Sequence, residues 1–227
     1  MPTLLHHPLD PSSRIVRLLL AEYGVPVDLE EIKPWLREPD FLEANPAASL
    51  PILIEDEEEG VASVGLLATL HAIEDRHAPD AVAGLMLTNP AERAEMWRLF
   101  EWVTVKLNDE VTRYVIEEKI AKRDLRGASP DTSVLRAAKA NLHEHLLYFN
   151  WLTATRRWIG GDSMSLADFA LAAHISCLDY IGDVDWAQAV EMRDWYSRIK
   201  SRPAFRTLLN DRVISLPPQK GYADLDF

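Results

Sequence analysis

The sequence has one cysteine, no long apolar run and fewer basic than acidic residues. Cys177 is the only cysteine among 227 residues, so an internal disulfide is excluded and a reducing compartment is favoured. No run of about 18 apolar residues occurs, and residues 1–7 lack the basic start of a signal peptide, so we expect a cytoplasmic protein without a membrane span. The net charge of −12 argues against nucleic-acid binding through phosphate neutralisation.

Apolar residues make up 48% of the chain and charged residues 26%, the balance of a globular protein that can bury a core. The histidines give no metal-binding pattern. His6 and His7 are adjacent on a predicted strand, and His143 and His145 are two apart on a predicted helix, so each pair points to different sides. We therefore expect no metal site, and we interpret Cys177 as a small buried core residue.

Residues 1–78 predict the order β-α-β, a loop with a helix, and then β-β-α. The first helix repeats apolar residues at i, i+3, i+4 and i+7, whereas the strands are short and tend to alternate. Ser12 and Ser13 precede the helical repeat and can accept the unpaired amides of the helix start, and Gly24 can end the helix. The predicted strands are Thr3–His7, Val25–Ile32, Pro51–Ile54 and Val61–Val64, and the last helix, apolar enough to be buried, is Gly65–Asp75.

Residues 79–90 contain two prolines and a glycine, so they are predicted to be a linker. Residues 91–212 are helical in pattern, and residues 213–227 form an extended tail beyond the last helix. Two long helices each turn an apolar face toward a core. These faces are Met96, Leu99, Phe100, Val103, Leu107 and Val111 in one helix, and Leu135, Ala138, Leu142, Leu146 and Phe149 in the other.

Ser165 and Asp168 have the spacing of a helix capping box. In such a box the serine hydroxyl and the aspartate side chain satisfy amides that the helix start leaves unpaired. We therefore predict a structural role for both residues.

Three segments, in the right order, resemble the glutathione S-transferase (GST) family. Asn45-Pro46 followed by Leu50-Pro51-Ile52-Leu53 resembles the turn and cis-proline strand of that family. Trp158–Ala172 resembles the buried capping segment of its helical domain, and Trp195–Phe205 its penultimate helix. The resemblance implies a two-domain fold, an α+β thioredoxin-like domain followed by an all-helical domain. It also implies a homodimer with twofold symmetry.

Members of this family bind glutathione on the first domain, and the resemblance implies that the thiol-activating group is altered here. Asp10 stands at the position of the family serine, and a carboxylate there would raise the pKa of a nearby thiol. Ser12 stands where the bacterial cysteine-type members have their cysteine. It is either a thiol-activating donor or a helix cap.

The remaining glutathione contacts are kept only in part. Leu50 precedes Pro51, and its backbone can still pair with the cysteinyl unit. The acidic-Ser pair that holds the γ-glutamyl group at a helix N-terminus maps to Gly65-Leu66, whose side chains cannot donate a hydrogen bond. Two lost partners at roughly 1–3 kcal/mol each would weaken affinity by roughly 10²–10⁴. We therefore expect no cofactor, with glutathione as the alternative.

Two functions remain, a glutathione transferase that uses Ser12 on small electrophiles, and a non-catalytic scaffold. The whole chain also resembles the FzlA-type GST homologues of alphaproteobacteria, which bind the tubulin-like division protein FtsZ and affect filament curvature and constriction. The likeness lies in His6–Arg14, in Ala47–Pro51 with Gly65-Leu66, and in the tail Leu216–Phe227. It implies a dimeric pseudoenzyme at the division site, and this is the function we expect.

The partner contacts are sought in one loop and in the tail. Trp35 follows Pro34 in a charged loop and is a candidate contact, with packing against the first domain as the alternative. The tail is Pro-led and too short for its own core, so it either docks on a second division partner or is a disordered end. Its apolar anchors would be Tyr222, Leu225 and Phe227, with Asp224 and Asp226 setting charge complementarity.

Overall fold

The structure, a computed structural model, describes residues 1–56, 61–78, 84–125 and 129–225. The chain divides into two units, Met1–Gly84 and Leu85–Phe227. Part of the predicted linker and two of the predicted tail contacts, Asp226 and Phe227, lie outside the described residues.

The first unit contains a four-stranded sheet in the order β2-β1-β3-β4. Strand β2 pairs with β1 in parallel, and the other neighbouring strands pair antiparallel. With the helices described next, this arrangement confirms the predicted thioredoxin-like first domain. The strands are β1 (Thr3–His6), β2 (Asp28–Glu31), β3 (Ile52–Asp56) and β4 (Val61–Val64).

Helix α1 (Pro11–Glu22) begins differently from the prediction. Asp10 is the capping residue, and its carboxylate accepts a hydrogen bond from the Ser13 amide at 2.6 Å. Ser12 and Ser13 therefore lie inside the first turn, and their predicted capping role is wrong. Pro11 occupies the first helical position, where its fixed φ suits a helix and its missing N–H costs nothing.

The loop after β2 contains a single 3₁₀ turn, Pro34–Leu36, and helix α2 (Pro39–Ala44). Helix α3 (Leu66–His77) follows β4 and packs on α1. The prediction that α3 is buried is wrong: only Thr69, Leu70 and Ile73 are buried, and Leu67 is 55% exposed. Its apolar composition exceeds what one packed face can cover.

The second unit is built from helices, as predicted. Helix α4 spans residues 90–124, and all six residues of its predicted apolar face are buried. Two stretches of α4, Trp102–Thr112 and Glu117–Ala121, have the wider turns of a π-helix. The remaining helices are α5 (Thr132–Thr155), α6 (Leu166–Ile181), α7 (Val190–Lys200) and α8 (Arg206–Leu209).

Helix α6 is the centre of the second unit, because every residue from Leu166 to Tyr180 is buried. Most of its residues are apolar, and a helix of that composition needs such an environment. Cys177 is buried in it, as predicted. Among the described residues, no helix is both long and apolar enough to cross a membrane.

Candidate functional site

The predicted glutathione-site residues Leu50, Pro51, Gly65 and Leu66 lie together where β3 begins and β4 ends. Ile52, the first residue of β3, pairs with Leu5 of β1 and with Val64, the last residue of β4. The Leu50–Pro51 peptide bond is cis, in agreement with the prediction. The Pro51 carbonyl accepts a hydrogen bond from the Gly65 amide at 2.9 Å, which ties the proline turn to the start of α3.

The start of α3 has no polar side chain that could hold a ligand. Gly65 is its N-terminal capping residue and makes no side-chain cap, and Leu66 is its first helical residue. At Gly65 the backbone has φ of +85° and ψ of 160°, a conformation that is essentially restricted to glycine. An acidic residue at this position would therefore be strained, even though a Cβ would meet nothing within 4 Å.

Asp10 is committed to helix α1. Burial raises the pKa of this carboxyl to about 6, while the hydrogen bonds from Ser13 and the Arg14 charge act in the opposite direction. The same turn is fixed by Arg14, whose Nε donates to the Pro8 carbonyl at 2.6 Å. Ser12 lies half-buried in the first turn of the helix.

A buried polar cluster next to this turn was not foreseen. His6, His7, Arg14 and Arg17 are each at least nine-tenths buried. Burial, followed by the charge of Arg17, lowers the pKa of His6 to about 3, so this ring is neutral at pH 7. Periodicity could not reveal the cluster, because β1 ends at His6 and the next residues belong to a loop.

Trp35 is half-buried, between the two alternatives that the sequence left open. Its ring makes an edge contact with the His7 ring at a centroid distance of 4.8 Å. Its Nε1 atom is buried and has no hydrogen-bond acceptor in the described part of the chain. The ring thus contacts the first unit and the residue is partly accessible, and a partner contact there stays a prediction.

Ser165 and Asp168 lie together at the start of α6. One carboxylate oxygen of Asp168 accepts from the Ser165 amide at 3.0 Å and from its hydroxyl at 3.2 Å. The other oxygen accepts from the Ile159 amide and from Nε1 of Trp195, both at 3.0 Å. Burial raises the pKa of Asp168 to about 6. This carboxylate therefore joins the α6 start, the preceding loop and α7.

The tail is docked on the second unit, which corrects the prediction for Tyr222. Tyr222 is only 1% exposed, so it cannot serve as an exposed anchor. Its ring packs edge-on against Tyr180 at 5.1 Å, and its hydroxyl donates to the Leu208 carbonyl at 3.3 Å. Of the other predicted contacts within the described chain, Asp224 is exposed and Leu225 is 42% exposed.

A buried ion pair under the tail was missed as well. Lys200 and Asp179 face each other at 3.4 Å, and both are nearly inaccessible to solvent. Burial raises the pKa of Asp179 and lowers that of Lys200, while the two charges act in the opposite sense on each other. Gln219 of the tail donates to Asp179 at 3.0 Å, and the Lys200 ammonium lies 5.5 Å from the Tyr222 ring centroid.

The part of the chain that the structure describes holds no group of three or more His, Cys, Asp or Glu side chains that could bind a metal ion. His145 instead bonds to Nε1 of Trp102 at 3.1 Å and to Glu110 at 3.0 Å. His143 lies exposed on the same helix.

The chain is similar to known proteins in both sequence and structure. Residues 11–76 match the family model described as the glutathione S-transferase N-terminal domain. A solved glutathione S-transferase from Sinorhizobium meliloti 1021 is 41% identical, with a TM-score of 0.94 and full coverage of both chains. The chain belongs to the GST family. FtsZ-localized protein A of Caulobacter vibrioides (strain NA1000 / CB15N) is 42% identical over 226 residues, 99% of this chain and 98% of the relative.

The similarity to this relative extends to its structure. Solved FzlA from C. crescentus is 41% identical and has a TM-score of 0.93, with 100% of this chain and 99% of that chain covered. The predicted resemblance to the FzlA-type GST homologues is thereby confirmed. Because this chain is covered completely, the similarity extends over the tail as well as the two units.

Proposed function

We propose that this protein is a non-catalytic, dimeric GST-fold scaffold that binds FtsZ and regulates filament curvature and constriction at the division site. The observation that carries the proposal is the full-length similarity to FtsZ-localized protein A, at 42% identity. The altered sheet edge supports it, because Gly65 and Leu66 offer no side-chain partner to a γ-glutamyl group.

The first test is a calorimetric titration with glutathione. We expect no saturable binding at millimolar ligand, because each missing polar partner costs roughly 1–3 kcal/mol. Leu66→Ser is the matched variant: it restores the hydroxyl without the backbone strain of a substitution at Gly65, and it should tighten any residual binding about tenfold. Wild-type binding below about 0.1 mM, near −5.5 kcal/mol, would contradict the pseudoenzyme assignment.

A glutathione transferase is the alternative function. It is favoured by Ser12, half-buried in the first turn of α1, and by the cis Leu50–Pro51 bond. The test is the conjugation of glutathione to a model electrophile by wild type and Ser12→Ala. Equal background rates are expected from the scaffold assignment. A wild-type rate that Ser12→Ala abolishes would establish the alternative.

FtsZ binding is tested by co-sedimentation with assembled filaments. We expect binding by wild type and weaker binding by Trp35→Ala, since a partly accessible tryptophan on a fixed support is a favourable anchor. Leu125→Ala is the control, because Leu125 is an exposed apolar residue on the second unit. Equal co-sedimentation of wild type and Trp35→Ala would remove Trp35 from the contact surface.

The homodimer is proposed to use a partly exposed aromatic row on the second unit. Trp102 stacks on Tyr148 at 4.4 Å, and Tyr148 on Trp151 at 6.3 Å. Trp151 is 57% exposed, and Leu147 beside it is also exposed. A twofold interface here would give two copies of each filament contact, as bivalent bridging or bending requires. Trp151→Glu should give a monomer in light scattering, while Leu125→Glu should not. An unchanged dimer would place the interface elsewhere.

The end of the tail is proposed to bind a second division partner, separate from the filament contact. Since Tyr222 is buried, the suitable deletion removes residues 223–227 and leaves Tyr222 in place. We expect an unchanged melting temperature and FtsZ co-sedimentation, but impaired division in cells that depend on the protein. Asp226→Lys should act in the same direction through charge reversal. Normal constriction by the deletion variant would rule out the second partner.

A further inference from the structure

An open groove lies between α4 and α5 of the second unit, outside every site described above. Its floor is apolar and comprises Val111 and Val115 of α4 and Leu135, Ala138 and Leu142 of α5. The cavity volume is about 280 Å³. A smaller depression adjoins it, shares Leu142 and extends to Leu146, so the groove follows α5 from Thr132 to Leu146.

The rim of the groove along α5 is basic. Arg136, Lys139 and His143 recur at i, i+3 and i+7, beside the apolar row of the floor. All three are exposed. Arg136 donates from its Nε to the Thr132 carbonyl at 3.3 Å, whereas the side chains of Lys139 and His143 make no hydrogen bond or ion pair with any other described residue.

The acidic groups around the groove are largely occupied. Both carboxylate oxygens of Asp183 accept hydrogen bonds from the Lys119 ammonium, at 2.6 and 2.8 Å. Asp185 accepts from the Ala187 amide at 3.2 Å and so caps a short turn. The groove therefore presents uncommitted positive charge in a chain whose net charge is −12. Complementarity favours an acidic partner.

The length and shape of the groove favour a helix. Its lining on α5 runs from Thr132 to Leu146, fourteen residue steps, or about 21 Å at 1.5 Å per residue. A peptide bound as an added strand needs a free sheet edge, and the described part of this unit has no strand longer than an isolated bridge. An amphipathic helix that lays its apolar face in a groove is the matching mode of recognition.

We propose that this groove is the docking site for an acidic amphipathic helix of about 14 residues from a protein partner. The apolar face of that helix packs on Leu135, Ala138 and Leu142. Its carboxylates face Arg136 and Lys139. The π-helical stretches of α4 contribute Val111 and Lys119 to the lining.

The test uses a fluorescein-labelled helical peptide of about 16 residues, with leucines at i, i+3, i+4 and i+7 and glutamates beside them. Its twin carries lysines in place of the glutamates. Fluorescence anisotropy with the full-length protein at about 50 mM salt gives the affinities, since exposed charges act most strongly there. We expect saturable binding of the glutamate peptide and at least tenfold weaker binding of the lysine twin.

Substitutions in the protein test whether the peptide binds in the groove. Arg136→Glu with Lys139→Glu should weaken the glutamate peptide at least tenfold, and Leu135→Gln several-fold. Arg93→Glu with Arg206→Glu makes the same change in net charge at exposed positions outside the groove lining and should leave binding unchanged. Thermal melts of all variants confirm folding, and the charge variants alter only exposed side chains.

Three outcomes would overturn the proposal. Equal binding of the two peptides would remove the charge complementarity, and equal binding by the groove and control variants would place the peptide elsewhere. Tighter binding of a peptide of residues 219–227 than of the glutamate helix would make a second copy of this chain the occupant. FtsZ co-sedimentation of the Arg136→Glu, Lys139→Glu variant is measured separately, so that a failure of the proposed FtsZ binding can be distinguished from a failure of helix docking.

Discussion

Replacing Tyr222 tests whether the tail is part of the folded second unit. Its side chain is buried against Tyr180, and its hydroxyl bonds to the Leu208 carbonyl. Truncating a buried aromatic side chain to alanine costs about 3–5 kcal/mol. The lower end applies here, because the tail lies at the surface and can undock instead of leaving a cavity. We therefore expect Tyr222→Ala to lower the free energy of unfolding by about 3 kcal/mol.

Two further variants show how much of this destabilisation comes from the hydroxyl and how much an exposed neighbouring residue contributes. Tyr222→Phe removes only the hydroxyl, whose 3.3 Å hydrogen bond is worth about 0.5–1.5 kcal/mol. Lys220→Ala alters an exposed side chain two residues away, and such changes usually stay within about 0.5 kcal/mol. Tyr222→Ala should therefore destabilise the protein most, Tyr222→Phe less, and Lys220→Ala least.

The assay is thermal unfolding followed by circular dichroism. For a chain of this size, 1 kcal/mol corresponds to about 2–4 °C, so Tyr222→Ala should melt about 6–12 °C below wild type. A melting temperature within about 1 °C of wild type would refute the reasoning, because the tail would then not be docked in solution.

Three other predictions concern buried polar groups. Ser165→Ala should lower the free energy of unfolding by about 0.5–2 kcal/mol. Asp168→Ala should lower it more, because the buried amides of Ile159 and Ser165 and the Trp195 Nε1 lose their acceptor in that variant. Equal melting temperatures of both variants and wild type would show that the capping contacts do not matter. Asp10→Ala should destabilise the first unit by about 0.5–2 kcal/mol, as judged by denaturant unfolding, whereas Ser12→Ala should not. Burial lowers the pKa of His174 to about 3, below its unfolded value of 6.5, so the protein is most stable above that value and loses stability as the pH falls toward the folded pKa. Between pH 7 and 5 the free energy of unfolding of wild type should therefore fall by about 2 kcal/mol relative to that of His174→Gln. Parallel pH profiles of the two proteins would contradict this.

Periodicity predicted the parts of the fold in which one side of an element is buried. The faces of α4 and α5 follow a helical repeat, so burial of Met96 or Phe149 could be read from spacing alone. The cis-proline turn came from the family resemblance, whereas the order of strands and helices along residues 1–78 came from the local sequence patterns. Composition was a poorer guide, because α3 is rich in apolar residues although only one of its faces is packed.

The errors arose where a residue's role depends on a distant partner. Tyr222 belongs to no repeat, and its burial depends on Tyr180 and Lys200, 42 and 22 positions earlier in the chain. The start of α1 carried a local signal for its capping residue, but the prediction gave more weight to Ser12 and Ser13. Proline at the first helical position points to Asp10 as the capping residue, and the structure agrees.

The cis-proline motif is retained for a reason that does not require glutathione. Leu50 packs with Leu5, Phe41 and Ile52 in the core of the first unit. Replacing such a residue with alanine typically costs about 2–5 kcal/mol, a large fraction of the stability of a domain. The Pro51 carbonyl also holds the start of α3 through Gly65.

The groups that would serve only a ligand are under no such constraint. Gly65, the capping residue of α3, and Leu66, its first residue, stand at the positions of the family's acidic-Ser pair, and neither is among the buried residues of the helix. The glycine conformation at φ +85° keeps the helix start in place without any side chain. Packing alone can therefore preserve the motif and the fold of a GST-family protein, whatever side chains stand at the start of α3.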